Sequence, residues 1–235
     1  MMIFKQWEQV LGGSKTQTRR ILKPGSAVQY LDDAGDIQVV ALDSLMDDMP
    51  GLPEQVAATG RLKNGKFRTQ YKAGKDYAIK HHMWSPGMWV KPCGDGTYLS
   101  SAVYEVAGVP VLDYAKNRYG KNWERALRDE GFCKARHTID AIRLERLRDI
   151  SAEDALAEGL ILQWAVHPEP EPGYYSPRWW HSGHQSAYDF WDYEDPARGA
   201  VSGYRLLWDH INGKTKYRWV NNPVVAVFEI GWRMM

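Results

Sequence analysis

The stretch Gly12–Arg20, with the sequence GGSKTQTRR, places one lysine, two threonine hydroxyls and two arginines directly after a pair of glycines. The apolar residues before it recur at helical spacing and stop at the glycines, which predicts a helix that gives way to a turn and then to a strand. Polar clusters at such junctions are common binding and catalytic sites. The alternative is a basic turn whose side chains point to water. The apolar residues are Ile3, Trp7, Val10 and Leu11.

The clearest local signal elsewhere is Ser151–Asp154, which resembles a capping box and precedes a glycine stop at Gly159. We expect a helix over Ser151–Glu158. The carboxylate of Glu158 would then face the negative end of the helix dipole, which costs from a few tenths to about 1 kcal/mol unless a cation compensates it. The alternative is a solvated glutamate.

The remaining pattern is rich in short apolar runs separated by turn residues, which is typical of a barrel. Strands are expected at His137–Leu147 and Val224–Ile230, and a short charged helix at Trp123–Glu130. Val28–Leu42 alternates poorly and is expected to be irregular. Further strands are expected within Lys66–Lys80, Met88–Val90 and Tyr98–Val106.

Two later segments differ from the rest of the chain in their residue pattern. Prolines exclude a long helix from Gln163–Trp191, and its aromatic residues either stack on nucleobases or pin a loop to the rest of the protein. Beyond it, one helical face is predicted to end at Gly213. That face carries Val201, Tyr204, Trp208 and Ile211.

Composition limits the classes of protein that fit. The chain has 235 residues, and 30 Lys and Arg against 29 Asp and Glu leave a formal charge of +1, so any nucleic-acid contact must be local. Cys93 and Cys133 are too few for a disulfide framework and lack metal-ligand spacing. No signal peptide or membrane-spanning run is evident, which favours a soluble protein of a reducing cytoplasm. The histidine pairs His81–His82 and His181–His184 lack a third ligand, so no metal and no cofactor are expected.

The residues themselves suggest one chemistry. A threonine hydroxyl becomes a nucleophile when a base takes its proton, and a lysine serves as that base if burial or neighbouring cations lower its pKa. A carboxylate such as Glu158 would orient the lysine, and the backbone amides of Gly12–Thr16 would hold an oxyanion. The reaction would be hydrolysis of an amide or ester. In an uninterrupted strand Lys15 and Thr18 would point to opposite faces, so a turn must include Lys15.

Lys15–Arg20 resembles the signature K-T-x-T-R of the ASCH family of small PUA-like β-barrels, and most closely its longer phage-encoded members. The resemblance implies an α+β fold, a PUA-like mixed β-barrel with flanking short helices. It also implies a single domain over residues 1–235 with long loop insertions at about 24–70 and 163–191. The other matching segments, in the family's order, are Arg143–Ser151, Glu153–Gly159, Leu207–Lys214 and Asn222–Glu229.

The resemblance also implies a function. Small bacterial ASCH proteins include amidohydrolases that remove the acetyl group from N4-acetylcytidine with a lysine, a threonine and a glutamate, which correspond here to Lys15, Thr18 and Glu158. We expect these three to converge on one partly buried pocket. Lys15→Ala would then abolish hydrolysis and leave the fold intact, because a solvent-lined lysine contributes little to stability. Substrate-binding roles are expected for Thr16, Arg19, Arg20 and Trp89.

Two other classes of function stay open. A PUA-like module without catalysis would bind RNA or a modified DNA base, with Lys15, Arg19 and Arg20 on phosphate and Trp89, Trp179 or Trp180 stacking on the base. A phage accessory protein would use the barrel for assembly contacts alone. Near-neutral charge favours the enzyme acting on a small modified nucleoside in the cytoplasm, that of a bacterial host if the chain is phage-encoded. No membrane partner is expected, and the sequence leaves the oligomeric state open.

Overall fold

The computed structural model describes residues 10, 15–42, 55–78, 88–94, 98–101, 104–166, 175–180, 187–189 and 196–234. At 78, 161–166, 175–180, 187–189, 196–198 and 233–234 the description covers the backbone alone. The fold is mixed α+β, mostly strands, with a curled half-barrel sheet and few helices. The α+β class expected from the sequence is therefore confirmed at this coarse level. The helix expected before the glycine pair lies outside the described residues except for Val10.

Strands outnumber helices among the described residues. The α-helices are α1 (Val111–Tyr119), α2 (Trp123–Asp129), α3 (Ala152–Ala157) and α4 (Pro196–Asn212), and short 3-10 turns occupy Gly120–Asn122, Leu147–Asp149 and Trp219–Asn221. The strands are β1 (Gln17–Ile21), β2 (Ser26–Leu31), β3 (Ile37–Ala41), β4 (Val56–Lys63), β5 (Lys66–Lys72), β6 (Lys75–Ala78), β7 (Trp89–Pro92), β8 (Tyr98–Ser100), β9 (Glu105–Val106), β10 (Val109–Pro110), β11 (Cys133–Arg146), β12 (Ile161–Val166), β13 (Tyr175–Trp180), β14 (Ala187–Asp189) and β15 (Val224–Met234).

Contacts divide the chain into two compact units, and β11 and β15 each pass from one to the other. The first unit comprises residues 1–13, 74–139 and 231–235. Within it β6 and β7 pair with the first half of β11, and β8 pairs with β7. Helices α1 and α2 close over a core formed by Trp89, Val111, Ala115, Leu127 and Phe132.

The second unit comprises residues 14–73 and 140–230. Here β1 pairs antiparallel with β15, from Gln17 opposite Glu229 to Ile21 opposite Val225, and β15 lies beside β11. Strands β3, β2, β4 and β5 form an antiparallel sheet in that order, and β12, β13 and β14 form another. The β4–β5 hairpin closes at Asn64-Gly65, both at positive φ, as a two-residue turn of this type requires.

Helix α3 forms where its capping residues predict it. The Ser151 hydroxyl accepts a hydrogen bond from the Asp154 N–H at 3.1 Å, and Gly159 ends the helix at a φ of 91°. Ala155 is fully buried and packs, with Ile150 and Leu160, into the core of the second unit. Helix α4 and strand β15 complete that core through Ala200, Tyr204, Leu207, Trp208, Val225 and Val227. The packing fixes α3 against α4 and β15.

Three expectations from the sequence need correction. Val28–Leu42 is not irregular: it contains β2 from Val28 onward and the whole of β3, and its alternation is weak because β3 is an edge strand with mostly exposed side chains. The segment Gln163–Trp191 is not a loop throughout, since most of β12 and all of β13 and β14 lie in it. On α4, Ile211 is 53% exposed and Leu207 takes its place in the buried face.

The other expected elements are confirmed with small shifts of their ends: the helices at Trp123–Glu130 and Ser151–Glu158, and the strands at His137–Leu147 and Val224–Ile230. Strands also occur within Lys66–Lys80, Met88–Val90 and Tyr98–Val106. The single domain with insertions at about 24–70 and 163–191 stays a prediction. None of the helices in the described ranges is both long and apolar enough to cross a membrane.

Candidate active site

The segment that precedes β1 closes the C-terminal end of α3. The Thr16 N–H donates to the Ala157 carbonyl at 3.0 Å, and the Lys15 ammonium donates to the carbonyl of Glu158. Helix C-termini carry orphan carbonyls and partial negative charge, so a cation there is stabilising. The sequence argument that Glu158 needs a cation at its helix end is therefore confirmed, and Lys15 is that cation.

Lys15 and Glu158 also form a buried ion pair. The Lys15 Nζ lies 3.0 Å from Oε2 of Glu158, although 143 residues separate them, and the two side chains are 4% and 6% exposed. Burial lowers the pKa of the Lys15 ammonium below its ordinary 10.5; Glu158 opposes this shift, and the charges of Arg20 and Arg19 reinforce it. Burial alone would raise the pKa of the Glu158 carboxyl, but Lys15 and Arg19 hold it below its ordinary 4.5. Glu158 is consequently a carboxylate at neutral pH.

Arg19 ties Glu158 to two further carboxylates. Its Nη1 lies 3.2 Å from Oε1 of Glu158, its Nη2 2.8 Å from Oδ2 of Asp154, and its Nε 2.6 Å from Oε1 of Glu145. The Arg19 side chain is fully buried, and its guanidinium lies 5.8 Å from the centre of the Tyr204 ring. Burial alone would lower the pKa of Arg19, but Glu158, Tyr204 and Glu145 outweigh burial, so the pKa lies above its ordinary value. Arg19 therefore fixes the orientation of Glu158.

Arg143 extends the network toward solvent. Its guanidinium lies 2.7 Å from Asp154, 3.0 Å from Glu229 and 3.4 Å from Glu145. The Asp154 carboxylate binds two arginines, Arg19 and Arg143. Burial alone would raise its pKa, but the charges of these arginines, chiefly that of Arg19, hold the pKa below its ordinary 3.8. Three cations and four carboxylates form this cluster, which we call the ionic network. Its members are Lys15, Arg19, Arg143, Glu145, Asp154, Glu158 and Glu229.

Tyr204 contributes a buried phenol from α4 to the same region. Burial raises its pKa well above 10.0, and the charge of Glu158 raises it further, while Arg19 acts against both. Arg20 is close enough to lower the pKa values of both Lys15 and Tyr204. The surroundings of Lys15 therefore hold a neutral hydroxyl donor and a second guanidinium besides the ion pair.

The structure brings Lys15, Arg19 and Glu158 together. Lys15 and Thr16 precede β1, so the alternation of the strand does not fix the direction of the Lys15 side chain. Along β1, alternation places Thr18 and Arg20 on the face opposite Gln17 and Arg19. Thr18 is 5% exposed, whereas the Thr16 side chain is exposed.

Several predicted roles are wrong for physical reasons. Arg19 has no exposed edge for a substrate phosphate, since each of its nitrogens is bonded within the second unit. The Thr16 N–H cannot hold an oxyanion, because it already donates to Ala157. Trp89 is 1% exposed and packs edge-on against Trp123 in the core of the first unit, so no base can stack on it. Lys15 is buried and not lined by solvent.

The sequence analysis missed the other members of the ionic network and Tyr204. A periodic signal was available for three of them: Arg143 and Glu145 are two apart on a strand and share a face, and Asp154 lies four residues before the predicted Glu158. No local pattern reveals that these two faces meet. The turn residues Gly12–Ser14, the two histidine pairs and the side chains of Trp179 and Trp180 lie outside the described residues.

Comparisons of the chain with protein-family models, with curated proteins and with solved structures find no match.

Proposed function

We propose that this protein is an amidohydrolase that removes the acyl group from an N4-acylated cytosine nucleoside, with Lys15, Thr18 and Glu158 as its catalytic residues. The observation that carries the proposal is the buried Lys15–Glu158 pair, because it joins a lysine of lowered pKa to a fixed carboxylate. A buried lysine with a lowered pKa is suited to act as a general base. The proposal includes the finer fold assignment, a PUA-like barrel of the ASCH type, and a cytoplasmic location.

The chemistry needs no group beyond these side chains. Neutral Lys15 takes the proton of the Thr18 hydroxyl, and the oxygen attacks the acyl carbonyl to give a tetrahedral intermediate. The Lys15 ammonium then returns the proton to the leaving amine on C4 of cytosine, which leaves an acyl ester on Thr18. Water, activated by the same lysine, hydrolyses that ester and releases the carboxylic acid. Glu158, itself held by Arg19, keeps the Lys15 side chain in place throughout.

Two features support the role of Thr18. It is buried, so its hydroxyl is shielded from bulk water, and it follows Lys15 by three residues across the junction between turn and strand. The spacing is that of the K-T-x-T motif on which the resemblance depends. The proposal requires the Thr18 hydroxyl to come within hydrogen-bond reach of Lys15 when substrate is bound, since unliganded sites are often looser.

The test is hydrolysis of a panel of N4-acylated cytidines by the purified protein, followed by chromatography of the cytidine released. We expect Lys15→Met and Thr18→Ala to abolish hydrolysis and Thr18→Ser to retain part of it. The matched control is Lys23→Met, an exposed lysine in the same unit, which should leave the rate unchanged. Folding of each variant is checked by circular dichroism.

The pH profile separates a catalytic lysine from a structural one. Because a general base must be neutral, kcat/KM should rise with pH through the pKa of Lys15, which lies below 10.5. Hydrolysis that survives both Lys15→Met and Thr18→Ala in folded protein would contradict the assignment. Binding of N4-acetylcytidine without turnover in the wild type would instead favour a binding module.

A further inference from the structure

The β4–β5 hairpin carries a concentration of positive charge that the net charge of the chain conceals. Residues 55–75 contain six lysines and arginines and no aspartate or glutamate, whereas the whole chain is almost balanced. Five of these cations lie in the hairpin, and four of them flank its turn: Arg61, Lys63, Lys66 and Arg68. All four are exposed, and none of them forms an ion pair among the described residues.

The register of the hairpin places these four charges on one face. Arg61 lies opposite Arg68, and Lys63 lies opposite Lys66. Residues that face each other across an antiparallel pair share a side of the sheet, as do residues two apart along a strand. Like charges directly opposite are destabilising. The hairpin nevertheless keeps two such pairs next to each other, which is the pattern of a surface whose charges are neutralised by a ligand.

A groove lies against this charged face. Its lining residues are Pro24, Gly25, Arg61, Leu62, Lys63, Arg68, Thr69 and Gln70, and its volume is about 650 Å³. The platform is well supported, because β4 pairs with β2 on one side and with β5 on the other. The cation pairs lie about 5 Å apart across the strands and about 7 Å apart along them. Four cations at this spacing carry more positive charge than one phosphate group neutralises.

We propose that this groove, the hairpin groove, binds the phosphodiester backbone of one nucleic-acid strand. Lysine and arginine on an exposed strand face track a backbone through charge, and Thr69 and Gln70 add hydrogen-bond donors to phosphate oxygens. The cations give affinity without reading bases, so the groove binds with little sequence preference. The proposal does not depend on hydrolysis at Lys15.

The experiment measures binding of a fluorescent single-stranded oligouridine by the full chain as a function of salt. Three phosphate contacts predict a slope of log Kd against log salt of about 2, and their loss predicts a Kd raised by about a hundredfold at about 0.1 M salt. The variant Arg61→Gln/Lys63→Gln/Arg68→Gln should show that loss. The matched control Lys121→Gln/Arg125→Gln/Lys214→Gln removes three exposed cations elsewhere and should bind as the wild type does.

Several outcomes would overturn the proposal: no binding by the wild type, a Kd insensitive to salt, or an equal loss in both triple variants. Vesicles of phosphatidylglycerol are the second probe. Retention of the wild type on these vesicles without binding of oligouridine would assign the groove to a membrane surface instead. If the triple variant does not fold, the single variants Arg61→Gln and Arg68→Gln decide the question, since each should lower the salt slope by about 0.7.

Discussion

Among single residues, Lys15 holds the charge that keeps Glu158 ionised inside the protein. We expect Lys15→Met to lower the free energy of unfolding by about 2–4 kcal/mol, because it leaves a buried carboxylate with Arg19 as its one remaining close cation. Breaking a buried pair usually costs 3–5 kcal/mol, and the surviving contact to Arg19 reduces that cost. Urea denaturation at neutral pH measures the change.

The control is Lys23→Met, which removes an exposed lysine and should change stability by less than about 0.5 kcal/mol. Glu158→Gln should cost less in the Lys15→Met background than in the wild type, because the buried charge is then already unpaired. Unchanged stability in Lys15→Met would mean that the ion pair contributes nothing to folding. The expectation that Lys15→Ala leaves the fold intact assumed a lysine lined by solvent, whereas Lys15 is buried.

The candidate site shows how far residue-level reasoning reaches. The pairing of Lys15 with Glu158 came from family resemblance together with a dipole argument at one helix end. The burial of Arg19 could not be foreseen, because three carboxylates from two elements surround it and none is adjacent in sequence. Long-range register, rather than any local pattern, decides which charges meet.

At the scale of elements, helix α3 holds Glu158 in place, and its N-cap is the residue to change. Ser151→Ala should lower the free energy of unfolding by about 1 kcal/mol, because the Asp154 N–H loses the hydroxyl that accepts its hydrogen bond. Ser151→Asp should restore most of that loss, since aspartate is an equally good N-cap. Thermal or urea unfolding of the two variants measures this. Equal stability of Ser151→Ala and the wild type would show that tertiary packing alone fixes the helix.

Elements with a strong local signal were predicted, and those without one were not. Helix α3 has a cap, a buried face and a glycine stop; strand β11 alternates between buried and less buried residues over much of its length, and strand β15 begins with a continuous apolar run. Strand β2 buries Ser26, Ala27 and Val28 in succession, which hides the alternation that marks a strand. The capping box is only half formed, because the Asp154 carboxylate binds Arg19 and Arg143. Tertiary ion pairs displaced the local interaction.

For the whole molecule, net charge gives a poor account of its surfaces. The formal net charge of +1 favoured a small substrate. That single value conceals a basic hairpin without acidic residues and a network in which four carboxylates surround three cations. Electrostatic binding depends on charge within about one Debye length, about 8 Å at physiological ionic strength. The distribution of charge in the fold, rather than its sum, therefore governs which anions each surface can bind.

Trp89 belongs to the core of the first unit, whereas the ionic network belongs to the second, and substitution of Trp89 tests whether this residue has only a structural role. Its ring is enclosed in the core of the first unit with Val111, Leu127 and Phe132, so Trp89→Phe should lower the free energy of unfolding by about 1–2 kcal/mol through the space it leaves. The KM for N4-acetylcytidine, or the Kd if turnover is absent, should not change. Trp123→Phe is the control, because this half-buried neighbour should cost less stability and also leave the KM unchanged. Normal stability combined with a severalfold rise of KM in Trp89→Phe would instead place the indole against the substrate.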